Sequence, residues 1–230
     1  MSGEIFPPAL RARLHQAPPR PVPHPGALLV SLPIATTLAA GDAPVHVDVA
    51  AFAVACEAVG GRVSRATSAD EVAEVVCAYL EDPRTVTAWP GETLPLPGVH
   101  EALRARGVTL LDPYVTADVS ARRADLDRLA GAPVGLTGPH AALIDTGSVV
   151  LSHRNGRGRL QSLLPPVHVA LVPVASLHVN FTALLAAEPG VIAQTANLVL
   201  VTGPSRTADI EMTLTRGVHG PRIIHVVFIG

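Results

Sequence analysis

Apolar and polar positions fall into a regular pattern from Val47 onward. Val49, Phe52, Ala53, Cys56 and Val59 recur at helical spacing and stop at Gly60-Gly61, which predicts a helix with a glycine end. Residues 63–66 read as a short strand. Ser68, with Glu71 three residues on, matches a capping box, and Val72, Val75, Val76, Tyr79 and Leu80 supply the apolar face of the helix it starts. A strand at 84–89, a helix at 99–106 closed by Gly107, and a strand at 108–111 follow. Strands alternating with helices predict βαβ units and a parallel sheet.

The second half continues with a polar helix at 120–129 and strands at 133–136, 147–152 and 167–174. A helix at 181–187, a strand at 197–202, a helix at 207–216 closed by Gly217, and a last strand at 223–229 complete the pattern. The Val and Leu runs are continuous, which suits strands buried on both faces. Pro18, Pro19, Pro21, Pro23 and Pro25 make the first 26 residues stiff and extended, and 27–45 admit no firm assignment beyond a short strand at 28–32. The expected division is a proline-rich arm or linker at 1–45 and an α/β domain at 46–230.

Composition narrows the function classes. Of 230 residues 48% are hydrophobic and only 3% aromatic, so the core must be aliphatic. A net charge of −2 and the lack of aromatic platforms argue against nucleic acid as a partner. No signal peptide pattern opens the chain and no apolar run reaches membrane-spanning length, so a cytoplasmic chain is expected. Cys56 and Cys77 sit in apolar helical patterns and are expected to be reduced. There is no C-x-x-C, and the ten histidines show no H-x-x-x-H spacing, so neither a metal site nor an iron–sulfur site nor another cofactor is expected.

Four segments carry candidate chemistry. In the first, Gly135 to Gly147, Asp145 lies between Ile144 and Thr146; it is a candidate acid–base residue, and equally a turn residue bonding the Thr146-Gly147 backbone. In the second, Arg154, Arg157 and Arg159 are interleaved with Gly156 and Gly158. Gln161 stands where a dinucleotide fingerprint needs its third glycine, and Pro165-Pro166 leave no room for the required helix, so that motif is rejected. The arginines remain suited to an anion. In the third, a buried strand, a Gly203-Pro204 turn and an expected helix start would present Ser205, Arg206, Thr207 and Asp209 to an anion through the helix N-terminus. A serine-hydrolase elbow is rejected there, because Thr207 replaces its last glycine and only 25 residues follow Ser205. In the fourth, His219 precedes Gly220-Pro221 as a turn residue or a titrating group.

Taken together, Thr146-Gly147, Gly156-Arg-Gly158-Arg159-Leu160, Leu163-Leu-Pro-Pro-Val-His168, the string from Gly203 to Glu211, and Gly217-Val-His-Gly-Pro221 resemble the lactate utilization (LUD) domain family. The resemblance implies an open, mostly parallel sheet with helices on both faces, like the isomerase and CoA-transferase superfamily. It also implies a role in oxidising L-lactate to pyruvate beside iron–sulfur partner subunits that carry the clusters. On that reading this chain is a non-redox subunit that holds a small anionic ligand on Arg159, Ser205, Arg206, Thr207 and Asp209. Two alternatives stay open: a self-sufficient isomerase or acyl/CoA-transfer enzyme using Asp145 as base or nucleophile, and an interaction module acting through the proline arm.

Overall fold

The protein is described here from a computed structural model, covering residues 48–154, 156–208, 214–216 and 220–230, with the backbone alone at 206–208 and 214–216. The proline-rich segment lies outside the described residues. In chain order the first half holds α1 (Val49–Ala58), β1 (Arg62–Ala66), α2 (Ala69–Cys77), β2 (Thr85–Ala88), α3 (Val99–Ala105), β3 (Thr109–Leu111) and α4 (Val119–Ala130). The second half holds β4 (Val134–Thr137), β5 (Ala141–Leu143), β6 (Ser148–His153), β7 (Val167–Pro173), β8 (Leu177–His178), α5 (Phe181–Ala187), β9 (Asn197–Val201), β10 (Arg206–Ala208), β11 (Leu214–Arg216) and β12 (Ile223–Ile229).

Six strands form a wholly parallel sheet in the order β1-β12-β7-β4-β2-β3. Alternate residues face opposite layers. On β7, Val167, Val169 and Leu171 pack with Val72 and Val76 of α2 and Val99 and Leu103 of α3. Its Ala170 and Val172 face the other way, toward Phe52 and Cys56 of α1. Helices therefore cover both faces, as the continuous apolar runs predicted. Phe52 meets Phe228 of β12 edge-on at 5.1 Å between centroids, and truncating such a buried ring to Ala costs about 3–5 kcal/mol. Ser68 caps α2 by accepting from the Glu71 N–H at 3.2 Å, while the Glu71 carboxylate accepts from the N–H of Thr67, one residue earlier than the capping box requires.

A second sheet, β8-β5-β6-β9, is not hydrogen-bonded to the first but packs against it, Ala142, Val149 and Leu177 joining Ala170, Val172 and Val226 in one apolar cluster; its pairs β5–β6 and β6–β9 are antiparallel and β5–β8 is parallel. Its β5 and β8 were not foreseen, because three-residue and two-residue strands are too short to show a period.

The expected helix at 207–216 is corrected: β10 and β11 pair there as an antiparallel hairpin. The sequence carries the reason. Thr207, Asp209, Glu211, Thr213 and Thr215 alternate with Ala208, Ile210, Met212 and Leu214, a period of two that suits a strand. Asp209, Glu211, Gly217 and His219 lie outside the described residues. The helix-dipole argument for an anion after Gly203 therefore loses its helix.

Candidate functional site

Topology marks one place on the sheet. The chain leaves β2 outward to β3, whereas after the neighbouring β4 it passes through β5 and β6 and re-enters this sheet on the opposite side, at β7. In open α/β sheets the crevice beyond the carboxyl ends of two such strands is where ligands collect. Trp89-Pro90 follows β2 there, and Gly138-Pro139-His140 follows β4. The Trp89 backbone N–H donates to the Leu136 carbonyl at 3.0 Å, and its indole N–H donates to the Gly158 carbonyl at 2.8 Å. That second bond draws the arginine loop, 154–159, into the crevice.

The loop is held by packing as well. His153, buried at the end of β6, shares a hydrogen bond with the Arg157 carbonyl at 3.2 Å and meets the Trp89 ring edge-on at 5.7 Å. The Arg157 guanidinium lies over the same ring, 5.7 Å from its centroid. Gly156 takes φ 76°, and a Cβ there would stand 3.2 Å from Pro90. Arg154 and Arg159 are exposed and Arg157 is half-buried. Among the described residues none of the three guanidiniums has an ion-pair partner. Burial, then the charge of Arg154, pushes the Arg157 guanidinium below its usual range, though such a group stays cationic. Burial, opposed by backbone hydrogen bonding and joined by the Arg159 charge, holds His153 below the ordinary imidazole range. A cleft of about 810 Å³ opens here, lined by His153, Arg154, Arg157, Arg159 and Asn197 among others.

Beneath the loop lies a buried polar row. Thr87, Gly135 and His168 are neighbours across β2, β4 and β7. Gln161, in the segment returning from the arginine loop to β7, crosses this face with its carbonyl where a Cβ of residue 135 would be, so only glycine fits. The Gln161 amide donates to Thr87 Oγ1 at 3.4 Å, and His168 Nε2 shares a hydrogen bond with Thr137 Oγ1 at 2.7 Å. Complete burial, then the His153 charge, pushes the His168 imidazole down to about 4, so it is neutral at pH 7. Gln161 Oε1 and His168 Nδ1 are buried without a partner. The Gln161 oxygen lies 2.9 Å from the place of a Cβ on Gly158, directly under the loop.

Residues 49–229 match the LUD domain. The chain belongs to the LUD domain family. It is 38% identical over 109 residues to lactate utilization protein C of a Geobacillus species, a match covering 45% of each chain. It is 32% identical over 144 residues to the protein of that name from Shouchella clausii, covering 60% of this chain and 59% of the relative. The matched part thus spans about half the length of these relatives. The crystal structure of a DUF162 family protein from Deinococcus radiodurans superposes with a TM-score of 0.55 and 22% identity, covering 79% of this chain and 95% of that one, a likeness of fold.

This LUD domain separates the residues singled out in the sequence. Arg159 lines the cleft of about 810 Å³ with Arg154 and Arg157. Asp145 is exposed in the β5–β6 turn, where its carboxylate accepts from Thr146 Oγ1 at 3.1 Å and its N–H donates to the Val179 carbonyl at 3.0 Å. Gly147 there takes φ 62°, and a side chain in its place would strike the Cys56 backbone of α1. That turn lies at the opposite end of β6 from Arg154, roughly 20 Å away at about 3.3 Å per residue. Antiparallel pairing of β6 with β9 sets the end of β9 beside the same turn, with Ser148 and Thr202 hydroxyls 2.6 Å apart. Ser205 follows, and its N–H donates to the Pro221 carbonyl at 2.9 Å, so that amide is already used. Arg206 and Thr207 open β10, and Asp209 lies outside the described residues.

Trp89, His153, Gln161 and His168 escaped the sequence reading. The one available signal was Trp89, the single tryptophan, at a strand end before proline. No helix among the described residues is long and apolar enough to cross a membrane. No group of three or more His, Cys, Asp or Glu among them is placed to hold a metal ion. Cys56 and Cys77 are both free.

Proposed function

We propose that this LUD domain is a non-redox, cytoplasmic subunit of an L-lactate utilization system, holding a small carboxylate at the arginine loop while iron–sulfur partner subunits take the electrons. The relatives' name, lactate utilization protein C, supports the pathway. The observation that carries the ligand class is the clustering of Arg154, Arg157 and Arg159 along one cleft, with Arg154 and Arg157 also lining a pocket beside Pro90 at the end of β2, and without ion-pair partners among the described residues. Three like charges in one loop repel each other, and an anion relieves that repulsion with charge-assisted hydrogen bonds. The indole of Trp89 and the buried row under Gly158 keep the loop in place for it.

Ser205, Arg206, Thr207 and Asp209 do not enter this reading, because β6 and β9 carry Ser205 and the start of β10 to the far end. Asp145 stands at that end too, exposed, which leaves it without a partner at the arginine loop.

The test is calorimetric titration of the purified chain with L-lactate, pyruvate and acetate, on wild type and on a variant with Arg154, Arg157 and Arg159 all changed to Gln. Saturable binding abolished in the variant, with an unchanged circular dichroism spectrum, is expected. Equal binding by both proteins removes the arginine loop from the function. The isolated chain is expected not to reduce an artificial acceptor with lactate; turnover by the chain alone would overturn the non-redox role.

A further inference from the structure

The arginine loop has a second, smaller opening on its β4 side. This cleft of about 270 Å³ is lined by His140, Ser152, Arg154, Glu188, Val191 and Gln194, with two loop residues of the turn after α5. Its volume suits a three-carbon acid. His140 stands three residues beyond β4, at the crevice itself, and its N–H donates to the Val150 carbonyl at 2.8 Å, which fixes the residue against β6. Its ring Nε2 lies 2.9 Å from Glu188 Oε2. A carboxylate only accepts, so Nε2 carries the proton and Nδ1 is left for another group. Among the described residues Nδ1 has no hydrogen-bond partner.

Ser152 lines the same cleft. The residue is 4% exposed, and its hydroxyl has no partner among the described residues. That hydroxyl is reached by solvent through the cleft, so it is open to a ligand. An imidazole nitrogen, a hydroxyl and a guanidinium thus line one small cleft, each without a partner among the described residues. The His140–Glu188 pair is too exposed, at 23% and 45%, to add much stability. Its effect is to orient the ring.

We infer that His140, oriented by Glu188, reads the oxygen on the carbon next to the carboxylate of a short 2-hydroxy or 2-oxo acid whose carboxylate is held by Arg154 and Ser152. The inference rests on the reading of the arginine loop as a carboxylate site. His140 Nδ1 accepts from a 2-hydroxyl when the ring is neutral, and donates to a 2-oxo oxygen when it is protonated. No bond is made or broken in this step; it determines which acid is held.

The experiment titrates the full chain with L-lactate, pyruvate and propionate, the last having no oxygen on that carbon. Wild type, His140→Leu, Glu188→Gln and Arg154→Ala are compared, with circular dichroism as the check on folding. Lactate and pyruvate are expected to bind about tenfold tighter than propionate, the worth of one good hydrogen bond. His140→Leu is expected to erase that preference while leaving propionate affinity unchanged, Glu188→Gln to reduce it, and Arg154→Ala to weaken all three acids. Equal binding of lactate and propionate by wild type, with both lost in Arg154→Ala, overturns the inference and leaves the carboxylate site standing. An equal loss of all three acids in His140→Leu assigns the residue to structure and also overturns it. Absence of binding, or binding indifferent to Arg154→Ala, removes the underlying reading and this inference with it.

Discussion

Trp89 donates its indole N–H to the Gly158 carbonyl at 2.8 Å, tying the end of β2 to a loop that follows β6, 69 residues later in the chain. The same ring carries the Arg157 guanidinium on its face and His153 at its edge. One side chain therefore touches Gly158 and Arg157 of the arginine loop and His153 at its root.

Trp89→Phe keeps an aromatic ring and deletes the bond. A loss of about 1 kcal/mol is expected, and with it a looser loop. Trypsin cleavage after Arg154, Arg157 or Arg159 under native conditions should become severalfold faster than in wild type. Unchanged cleavage kinetics would show that the indole bond does not hold the loop.

Gly135→Ala places a methyl group on the Gln161 carbonyl, a backbone atom that cannot rotate aside. The expected cost is at least about 2 kcal/mol, a melting temperature lower by about 5 °C or more. Gly131→Ala is the control, since Gly131 has ordinary helical angles and a Cβ there makes only ordinary contacts at 3.5 Å. A Gly135→Ala protein that melts with wild type would refute the crossing of Gln161 over β4.

His168 links stability to acid. Burial depresses its folded value to about 4 from the ordinary 6.5, so between these values the unfolded chain binds a proton that the folded chain refuses. Stability is therefore full above about pH 6.5 and falls as pH drops toward 4, by about 3 kcal/mol from this residue alone. His168→Gln should flatten the pH dependence of urea unfolding in that window by about one proton, whatever its effect on stability at pH 7. His100, His153 and His225 are lowered too, mainly by burial, so some acid sensitivity persists in the variant.

The two thiols should differ in reactivity. Burial, then the charge of Glu57, pushes the Cys56 thiol up to about 11, beneath Gly61 and Gly147, whereas Cys77 is half-buried at the end of α2. Ellman's reagent at pH 8 is expected to titrate Cys77 in the native protein and Cys56 only after denaturation. Prompt reaction of both would mean that α1 does not stay docked.

Much of the fold was legible along the chain. The helices at α1, α2 and α3 announce themselves through spacing, Ser68 and Gly107, and the strands β7 and β12 through unbroken Val and Ile. The hairpin at β10 and β11 was legible too, in the alternation from Thr207 to Thr215, but a glycine-ended stretch after Gly203-Pro204 resembles a helix equally well. The site was less legible. The arginine loop could be picked out by composition, whereas His168 and Gln161 are a single histidine and a single glutamine in apolar stretches, and only burial gives them meaning.

The sequence by itself determined the parallel α/β class, the order of most elements, the LUD domain family and the anion-suited arginine loop, because periodicity, caps and interleaved glycines are local properties. Only the tertiary structure decided which candidates act together. Strand order brings Trp89, His140 and the arginine loop to one crevice from three separate segments. The reversal of direction between β6 and β9 sends Asp145 and Ser205 to the far end. A strand six residues long holds its two ends some 20 Å apart, so proximity along the chain says little about proximity in space.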